Sequence, residues 1–195
     1  MRAVERRRGM GGASIPLPYD AEIEYIESTG TQRIDTGVFM TKSTKVELRL
    51  MSTKTSAEAG GDNVLFGAWT SNSQCSYAFM TGSNTVRVRW GSSNNYDLAV
   101  SKGDVLKFTY DGTRWTLLDE TKNTSKSSTS GSNYSTNQFQ LMQGRGCRFY
   151  YAKIGNLDLI PVRVGQVGYM YDRNSGTLYG NAGTGDFVLG NDKNS

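Results

Sequence analysis

The strongest structural signal in the chain is the sequence Val105-Leu106-Lys107-Phe108-Thr109-Tyr110-Asp111-Gly112-Thr113-Arg114-Trp115-Thr116-Leu117-Leu118. Two segments rich in apolar and aromatic residues flank Asp111-Gly112, the kind of dipeptide that tight hairpin turns prefer. The sequence therefore predicts two antiparallel strands, Val105–Tyr110 and 114–118, joined by a short turn.

Strand-like patterns continue on both sides of this hairpin. Segment 44–51 alternates, with Val46, Leu48 and Leu50 on one face and charged residues on the other. Thr85–Trp90 alternates in the same way. Further strands are predicted at 22–27, 32–36, 63–69, 76–80, 139–142, 148–154, Leu157–Val164, 167–171, 177–179 and 187–189, and an exposed loop at 121–137. Short strands at this spacing, with no helical period, predict an all-β, two-sheet antiparallel sandwich.

The positive charge is concentrated at the start of the chain. The net charge is +4, and residues 1–10 contain Arg2, Arg6, Arg7 and Arg8 against the single acid Glu5, a net charge of +3. Few apolar residues lie in this segment, and it ends in a Pro-Leu-Pro sequence that favours extended backbone. We therefore predict an extended basic arm at 1–18, acting as an assembly arm or as a disordered tail, and one sandwich domain at 19–195.

The composition excludes several kinds of site. The chain has no histidine, so a Ser-His-Asp or Cys-His centre is impossible, and only Cys75 and Cys147 remain as thiol ligands for zinc. The near-neutral body argues against nucleic-acid binding, and no segment predicts a membrane span or a secretion signal. No cofactor is expected. Whether the two cysteines pair, and whether turn aspartates hold Ca²⁺, stays open.

One acidic segment suggests a hydrolase as an alternative. Glu22, Glu24 and Glu27 lie within a predicted strand, and retaining glycosidases use two carboxyl groups about 5 Å apart. Plain alternation places Glu22 and Glu24 on one face and Glu27 on the other, so that only a bulge would bring them together. We therefore predict that the chain has no catalytic residues and is not an enzyme.

Aromatic residues are the candidates for carbohydrate binding, because flat rings beside polar donors suit sugar rings. Trp90 and Trp115 share the period of core residues and are predicted to be buried. Tyr96 and Tyr134 lie in polar segments and are predicted to be exposed. Together with Trp69 they form the predicted carbohydrate-binding set.

Two terminal segments resemble a known group of proteins. The first is Tyr19-Asp20-Ala21-Glu22-Ile23-Glu24-Tyr25-Ile26-Glu27-Ser28-Thr29-Gly30-Thr31-Gln32-Arg33-Ile34-Asp35-Thr36-Gly37. The second comprises Leu159-Ile160-Pro161-Val162-Arg163, Gly168-Tyr169-Met170-Tyr171-Asp172 and Leu178-Tyr179-Gly180-Asn181-Ala182-Gly183-Thr184-Gly185-Asp186-Phe187. Both resemble concanavalin A-like, or laminin G-like, jelly-roll proteins encoded by gut bacteria and their phages. The resemblance implies a jelly-roll sandwich carried on a virion or cell surface, and it transfers no functional residue.

These observations lead to three hypotheses. The first is a phage structural protein, such as a capsid decoration protein, a head fibre or a tail-associated module, assembled in the host cytoplasm. It would be anchored by its arm to other virion proteins or to itself and would display a domain for bacterial surface glycan. The second is a free carbohydrate-binding module or lectin. The third is a jelly-roll glycoside hydrolase.

Overall fold

The computed structural model describes residues 16–82, 84–92, 94–143 and 145–193. In this part of the chain the regular structure consists of β-strands, and no α-helix is present. The strands are β1 (Ala21–Glu22), β2 (Ile26–Thr29), β3 (Ile34–Phe39), β4 (Val46–Ser52), β5 (Asn63–Ser71), β6 (Gln74–Thr81), β7 (Thr85–Trp90), β8 (Tyr96–Ala99), β9 (Val105–Tyr110), β10 (Arg114–Asp119), β11 (Thr124–Thr129), β12 (Gln138–Leu141), β13 (Gly146–Ile154), β14 (Leu157–Val164), β15 (Val167–Asp172), β16 (Leu178–Tyr179) and β17 (Val188–Leu189).

The strands form two antiparallel sheets. The larger sheet has the order β11-β10-β9-β4-β13-β14-β15-β16, with β2 beside β13, β17 beside β2 and β1 beside β14. The smaller sheet has the order β3-β12-β5-β6-β7-β8. The predicted class, an all-β sandwich of two antiparallel sheets, is confirmed. The jelly-roll connectivity stays a prediction.

A single hydrophobic core contains residues of both sheets. Val46, Leu48 and Leu50 of β4 are buried in it, as the alternation predicts. Trp90 and Trp115 are fully buried, which confirms their predicted place in the core. The Trp90 ring lies 4.6 Å from the Phe108 ring, centroid to centroid, so the core joins β7 of the smaller sheet to β9 of the larger one.

The hairpin between β9 and β10 forms as predicted. The Asp111 carboxylate accepts hydrogen bonds from the backbone N–H groups of Thr113 and Arg114, at 2.7 and 2.8 Å. These bonds hold the pKa of Asp111 below its usual range, because they favour the charged carboxylate. A carboxylate that binds its own turn supplies the local reason why this sequence reverses direction here.

Three segments differ from the prediction. The predicted loop 121–137 contains β11, which pairs with β10 along Thr124–Thr129. Residues 96–99 form the edge strand β8. Segment 22–27 is interrupted between β1, which pairs with β14, and β2, which pairs with β13. The side chains of β11 are almost all exposed, so this edge strand lacks the apolar alternation on which the prediction relied. In β8, Leu98 is buried and Tyr96 packs on the core, but the strand has only four residues and gives a short pattern.

Both cysteines are buried free thiols. Cys147 lies in the main core, as its alternation with Phe149 indicates. Cys75 lies outside that core, in a small cluster with Tyr77 and Phe79. Burial raises the pKa of both thiols, so that the neutral forms dominate near neutral pH.

The predicted assembly-arm residues Arg2, Arg6, Arg7 and Arg8 lie outside the described residues. Residues 16–18 are described and are exposed. The next two residues contact the sandwich: the Tyr19 ring lies 4.9 Å from that of Tyr171, and the Asp20 N–H donates to the Arg163 carbonyl at 2.9 Å. Within the described ranges, no helix has the length and apolar character needed to cross a membrane.

Candidate functional site

Five strands of the smaller sheet place one residue each in a single row. Pairing sets Asp35 of β3 opposite Gln140 of β12, Gln140 opposite Gly67 of β5, Gly67 opposite Tyr77 of β6, and Tyr77 opposite Arg89 of β7. Because side chains alternate along a strand and the neighbouring residues lie in the core, this row faces away from the core. We call it the outer row.

Gly67 places no side chain at the centre of the outer row. A Cβ at this position would overlap the backbone of Ser76 and Tyr77, and Gly67 has a φ of +130°, a conformation that side chains disfavour. The Gln143 side chain donates a hydrogen bond to the Gly67 carbonyl at 2.6 Å. Only glycine fits here, because β6 packs directly against this position and Gly67 is buried.

A cleft of about 400 Å³ opens beside the outer row. Its lining combines one aromatic residue with a set of side-chain amides, and we call it the amide cleft. It is lined by Ala68, Trp69, Asn137, Gln138, Gln140 and Gln143.

Each amide of the cleft is held at one end by the protein. Asn137 donates to the Trp69 carbonyl at 2.6 Å, and Gln140 donates to the Asp35 carboxylate at 2.7 Å. Gln138 instead accepts a hydrogen bond from the Gly37 N–H at 3.0 Å. Among the described residues, the oxygens of Asn137, Gln140 and Gln143 and the nitrogen of Gln138 keep no partner. The cleft therefore offers both acceptors and a donor in fixed positions.

Trp69 gives the cleft its aromatic face. It lies near the end of β5, opposite Cys75, and remains 51% exposed. Single exposed apolar side chains are common, and Phe39 on β3 is 60% exposed, so Trp69 is of interest because it also lines the cleft. The sequence-based set placed Trp69 among the carbohydrate-binding candidates, and the structure puts it at a cleft.

A tight turn after β12 returns Gln143 to the outer face. Met142 and Gln143 are consecutive non-glycine residues with positive φ, at 71° and 36°. The Met142 side chain is buried in the core, and its carbonyl accepts the Arg145 N–H at 2.9 Å. Left-handed backbone in such residues costs on the order of 1–3 kcal/mol each and is concentrated at functional sites.

Beyond Gly67, the outer face becomes aromatic and then basic. The Tyr77 and Phe79 rings stack with centroids 5.0 Å apart. Burial raises the pKa of Tyr77, so its hydroxyl stays neutral. Arg87 and Arg89 follow on β7, and the pair Arg87–Asp97 is bidentate at 2.7 and 2.8 Å.

Tyr96 and Tyr134, the other two predicted binding residues, do not line the amide cleft, and both are partly buried where the sequence predicts exposure. Tyr96 lies on β8 with its ring against the buried Trp115, at a centroid distance of 5.3 Å. Tyr134 packs on the core and its hydroxyl bonds that of Tyr110 at 2.6 Å. Polar neighbours suggested exposure, but both rings pack beside core aromatics and are only partly exposed.

The sequence did not identify the amides of the cleft as candidate binding residues. A usable signal was present in Gln138-Phe139-Gln140-Leu141, where glutamine alternates with residues that are buried. Gln143 gave no such signal, because its place depends on the left-handed turn.

The glutamates considered for hydrolase chemistry have separate partners. Glu27 accepts two hydrogen bonds from Arg148, at 2.7 and 2.9 Å, and the Arg148 guanidinium also lies 3.7 Å from the centre of the Tyr25 ring. Glu24 accepts from the Asn191 side chain at 3.2 Å, and Glu22 from the Tyr19 hydroxyl at 3.3 Å. The break between β1 and β2 thus directs each carboxylate to a different structural contact.

The turn aspartates have similar structural roles. Asp97 pairs with Arg87, Asp111 caps its own turn, and Asp104 pairs with Lys122. In the part of the chain that the structure covers, no group of three or more acidic or cysteine side chains is arranged to hold a metal ion.

No protein-family model and no curated protein matches the chain. Among solved structures it is similar to scytalido-glutamic peptidase bound to a transition-state analogue inhibitor, with 11% identity, 87% of this chain and 81% of that chain covered, and a TM-score of 0.34. It is also similar to SCP-B, a member of the eqolisin family of peptidases, in complex with the tripeptide Ala-Ile-His. That match has 12% identity, coverages of 80% and 90%, and a TM-score of 0.31.

These neighbours correct one sequence-based prediction. The prediction that the chain is not an enzyme is contradicted, because the structures it matches are peptidases. We therefore withdraw that prediction, and the proposed function makes no claim that catalysis is absent. At such low identity and TM-score, the likeness assigns no activity and no residue role to this chain.

Proposed function

We propose that this chain binds carbohydrate in the amide cleft and is the displayed domain of a phage virion structural protein. The observation that supports binding is the half-exposed Trp69 beside amides that are each anchored at one end. Sugar rings present apolar C–H faces to an aromatic ring and hydroxyl groups to amide donors and acceptors. A preformed set of this kind binds without first ordering its own side chains, which reduces the entropy lost on binding.

The charge at the cleft suits this chemistry. Asp35 is the carboxylate nearest to Gln140 in the outer row, and it also accepts a hydrogen bond from Arg33 at 3.3 Å. Its negative charge is therefore paired, and the cleft recognises its ligand through neutral hydrogen bonds. Such groups fix the orientation of a ligand while the aromatic face supplies contact area.

Replacing Trp69 with alanine tests this proposal. We expect glycan affinity to fall at least about tenfold, about 1.4 kcal/mol, because the stacking face is lost. Because the side chain is half exposed, the free energy of unfolding should change by less than about 0.5 kcal/mol. Binding would be measured on a panel of immobilised bacterial surface polysaccharides and by titration calorimetry with the best ligand.

The control is Val188→Ala, which removes another exposed apolar side chain, 46% exposed, from the larger sheet. It should bind as the unaltered chain does. Equal glycan binding by the unaltered chain and Trp69→Ala, or no binding to any member of the panel, would reject the amide cleft as the site.

Anchoring by the basic arm is the second part of the proposal. It is supported by the concentration of charge in residues 1–10 within an otherwise near-neutral chain. Arginine side chains bind carboxylates through two parallel hydrogen bonds, so a short basic segment suits docking onto another virion protein or another copy of this chain. The resemblance to phage-encoded jelly-roll proteins supports the same role.

Deletion of residues 1–18 should separate assembly from folding. The truncated chain keeps Tyr19 against Tyr171, so we expect its melting temperature to be nearly unchanged. We expect it to be lost from purified particles, measured by mass spectrometry, or to lose self-association in analytical ultracentrifugation. Unimpaired assembly, or failure to fold, would contradict an anchoring role.

A further inference from the structure

Arg87 and Arg89 occupy the same face of the same strand but have different partners. Arg87 is neutralised by the bidentate contact with Asp97. Arg89 is held by neutral acceptors: its Nε donates to Asn95, and its Nη1 donates to Asn72 at 2.9 Å and to the Tyr77 hydroxyl at 3.2 Å. Among the described residues, no carboxylate lies within ion-pair distance of Arg89.

These contacts fix the guanidinium without cancelling its charge. Two asparagine oxygens and a neutral phenol orient three of its N–H groups, and Nη2 has no partner among the described residues. Arginine is permanently charged, and a charge held in place beside a buried aromatic pair is screened less than one on a mobile side chain. Arg89 therefore presents an oriented cation to an incoming anion.

The outer row connects this cation to the amide cleft. Gln140, Gly67, Tyr77 and Arg89 lie directly opposite one another on four successive strands. Three strand spacings separate Gln140 from Arg89, about 14 Å in all. Gly67 adds no side chain of its own between them, and a ligand that spans about 14 Å would pass over the mostly buried Tyr77 ring to reach the arginine.

We propose that the ligand is an acidic polysaccharide, with a neutral part in the amide cleft and a carboxylate of a neighbouring sugar on Nη2 of Arg89. This inference rests on the proposed glycan binding and names its substrate class. The negative group at the other end of the row, Asp35, is paired with Arg33, so the row is neutral at one end and positive at the other. That difference in charge gives an acidic polysaccharide a preferred direction across the sheet. Residues 11–195 carry a net charge of only about +1, so a general excess of positive charge on the domain does not account for a preference for acids.

The test uses matched pairs of polysaccharides. Each acidic capsular polysaccharide in a panel is compared with its own carboxyl-reduced form, in which the uronic acid carboxylates have become primary alcohols. We expect the unaltered chain to bind at least one acidic form at least about tenfold more tightly than its reduced form, and the preference to shrink as salt is raised. Arg89→Gln should abolish the preference while keeping the affinity for the reduced form.

Arg87→Gln is the matched control, because it removes the same charge from the same face of the same strand. It should keep the preference, since Arg87 is already neutralised.

Binding to neutral polysaccharides alone, or an unchanged preference in Arg89→Gln, would overturn this inference while leaving glycan binding in place. Weaker binding of both forms by Trp69→Ala, together with a preference that is lost in Arg89→Gln and kept in Arg87→Gln, supports both proposals. A phosphate-bearing polysaccharide bound through Arg89 in place of any carboxylated one would overturn the assignment of a carboxylate.

Discussion

Gly67→Ala is expected to destabilise the protein by about 4 kcal/mol, because two costs combine at one position. The new methyl group would overlap the backbone of Ser76 and Tyr77, which no side-chain rotation can relieve. The residue would also keep a φ of +130°, which alanine disfavours. Chemical denaturation followed by circular dichroism would measure the loss in unfolding free energy.

Gly60→Ala is the matched control for this experiment. Gly60 also has positive φ, at +71°, but nothing lies within 4 Å of the position its Cβ would take. Its expected cost is therefore the backbone strain alone, about 1 kcal/mol. Equal losses in the two variants would show that β6 does not pack tightly against Gly67 and that this position does not require glycine.

Trp90→Ala is expected to cost a similar amount, about 4 kcal/mol, through a different mechanism. The indole is fully buried between the sheets, with Phe108, Tyr110 and Phe139 rings at centroid distances of 4.6, 5.4 and 6.2 Å. Removing it leaves a cavity that these large rings cannot close. Because small domains are stable by only about 5–15 kcal/mol, the variant should unfold at much lower denaturant concentration.

Two further variants identify the cause of this loss. Trp90→Phe should cost about 2 kcal/mol or less, because it fills most of the space and removes an indole N–H that has no hydrogen-bond partner among the described residues. Trp69→Ala deletes the same side chain from an exposed position and should leave stability almost unchanged. A large loss in Trp69→Ala would contradict its placement on the surface.

Together these variants separate folding from binding in one sheet. β5 presents residues to both faces: Phe66 packs in the core, whereas Gly67 and Trp69 face outward. Changes on the inner face should lower stability, and Trp69 changes should lower affinity. Gly67 is the exception, because it faces outward and yet its missing side chain is required for the close approach of β6.

The sequence predicted the parts of the fold that depend on local pattern. Val46, Leu48 and Leu50 alternate with charged residues, and burying one face of a strand requires this arrangement. The Asp111-Gly112 turn was equally readable, because its hydrogen bonds join residues within three positions. The burial of Trp90 and Trp115 followed from the same period. Where burial does not act, as in the polar edge strand β11, the pattern disappears and the strand was missed.

The candidate site depended on contacts between distant parts of the chain. Asp35, Gly67, Tyr77, Arg89 and Gln140 come together only because five strands pair in one register, which no local pattern specifies. The same limit explains Tyr96 and Tyr134, whose polar neighbours predict exposure until Trp115 and Tyr110 pack against them. The sequence alone determined the class of fold, because alternation and turns are local consequences of burial and backbone geometry. The tertiary structure decided which polar side chains share a surface, because strand register and sheet order arise from the simultaneous packing of the whole core.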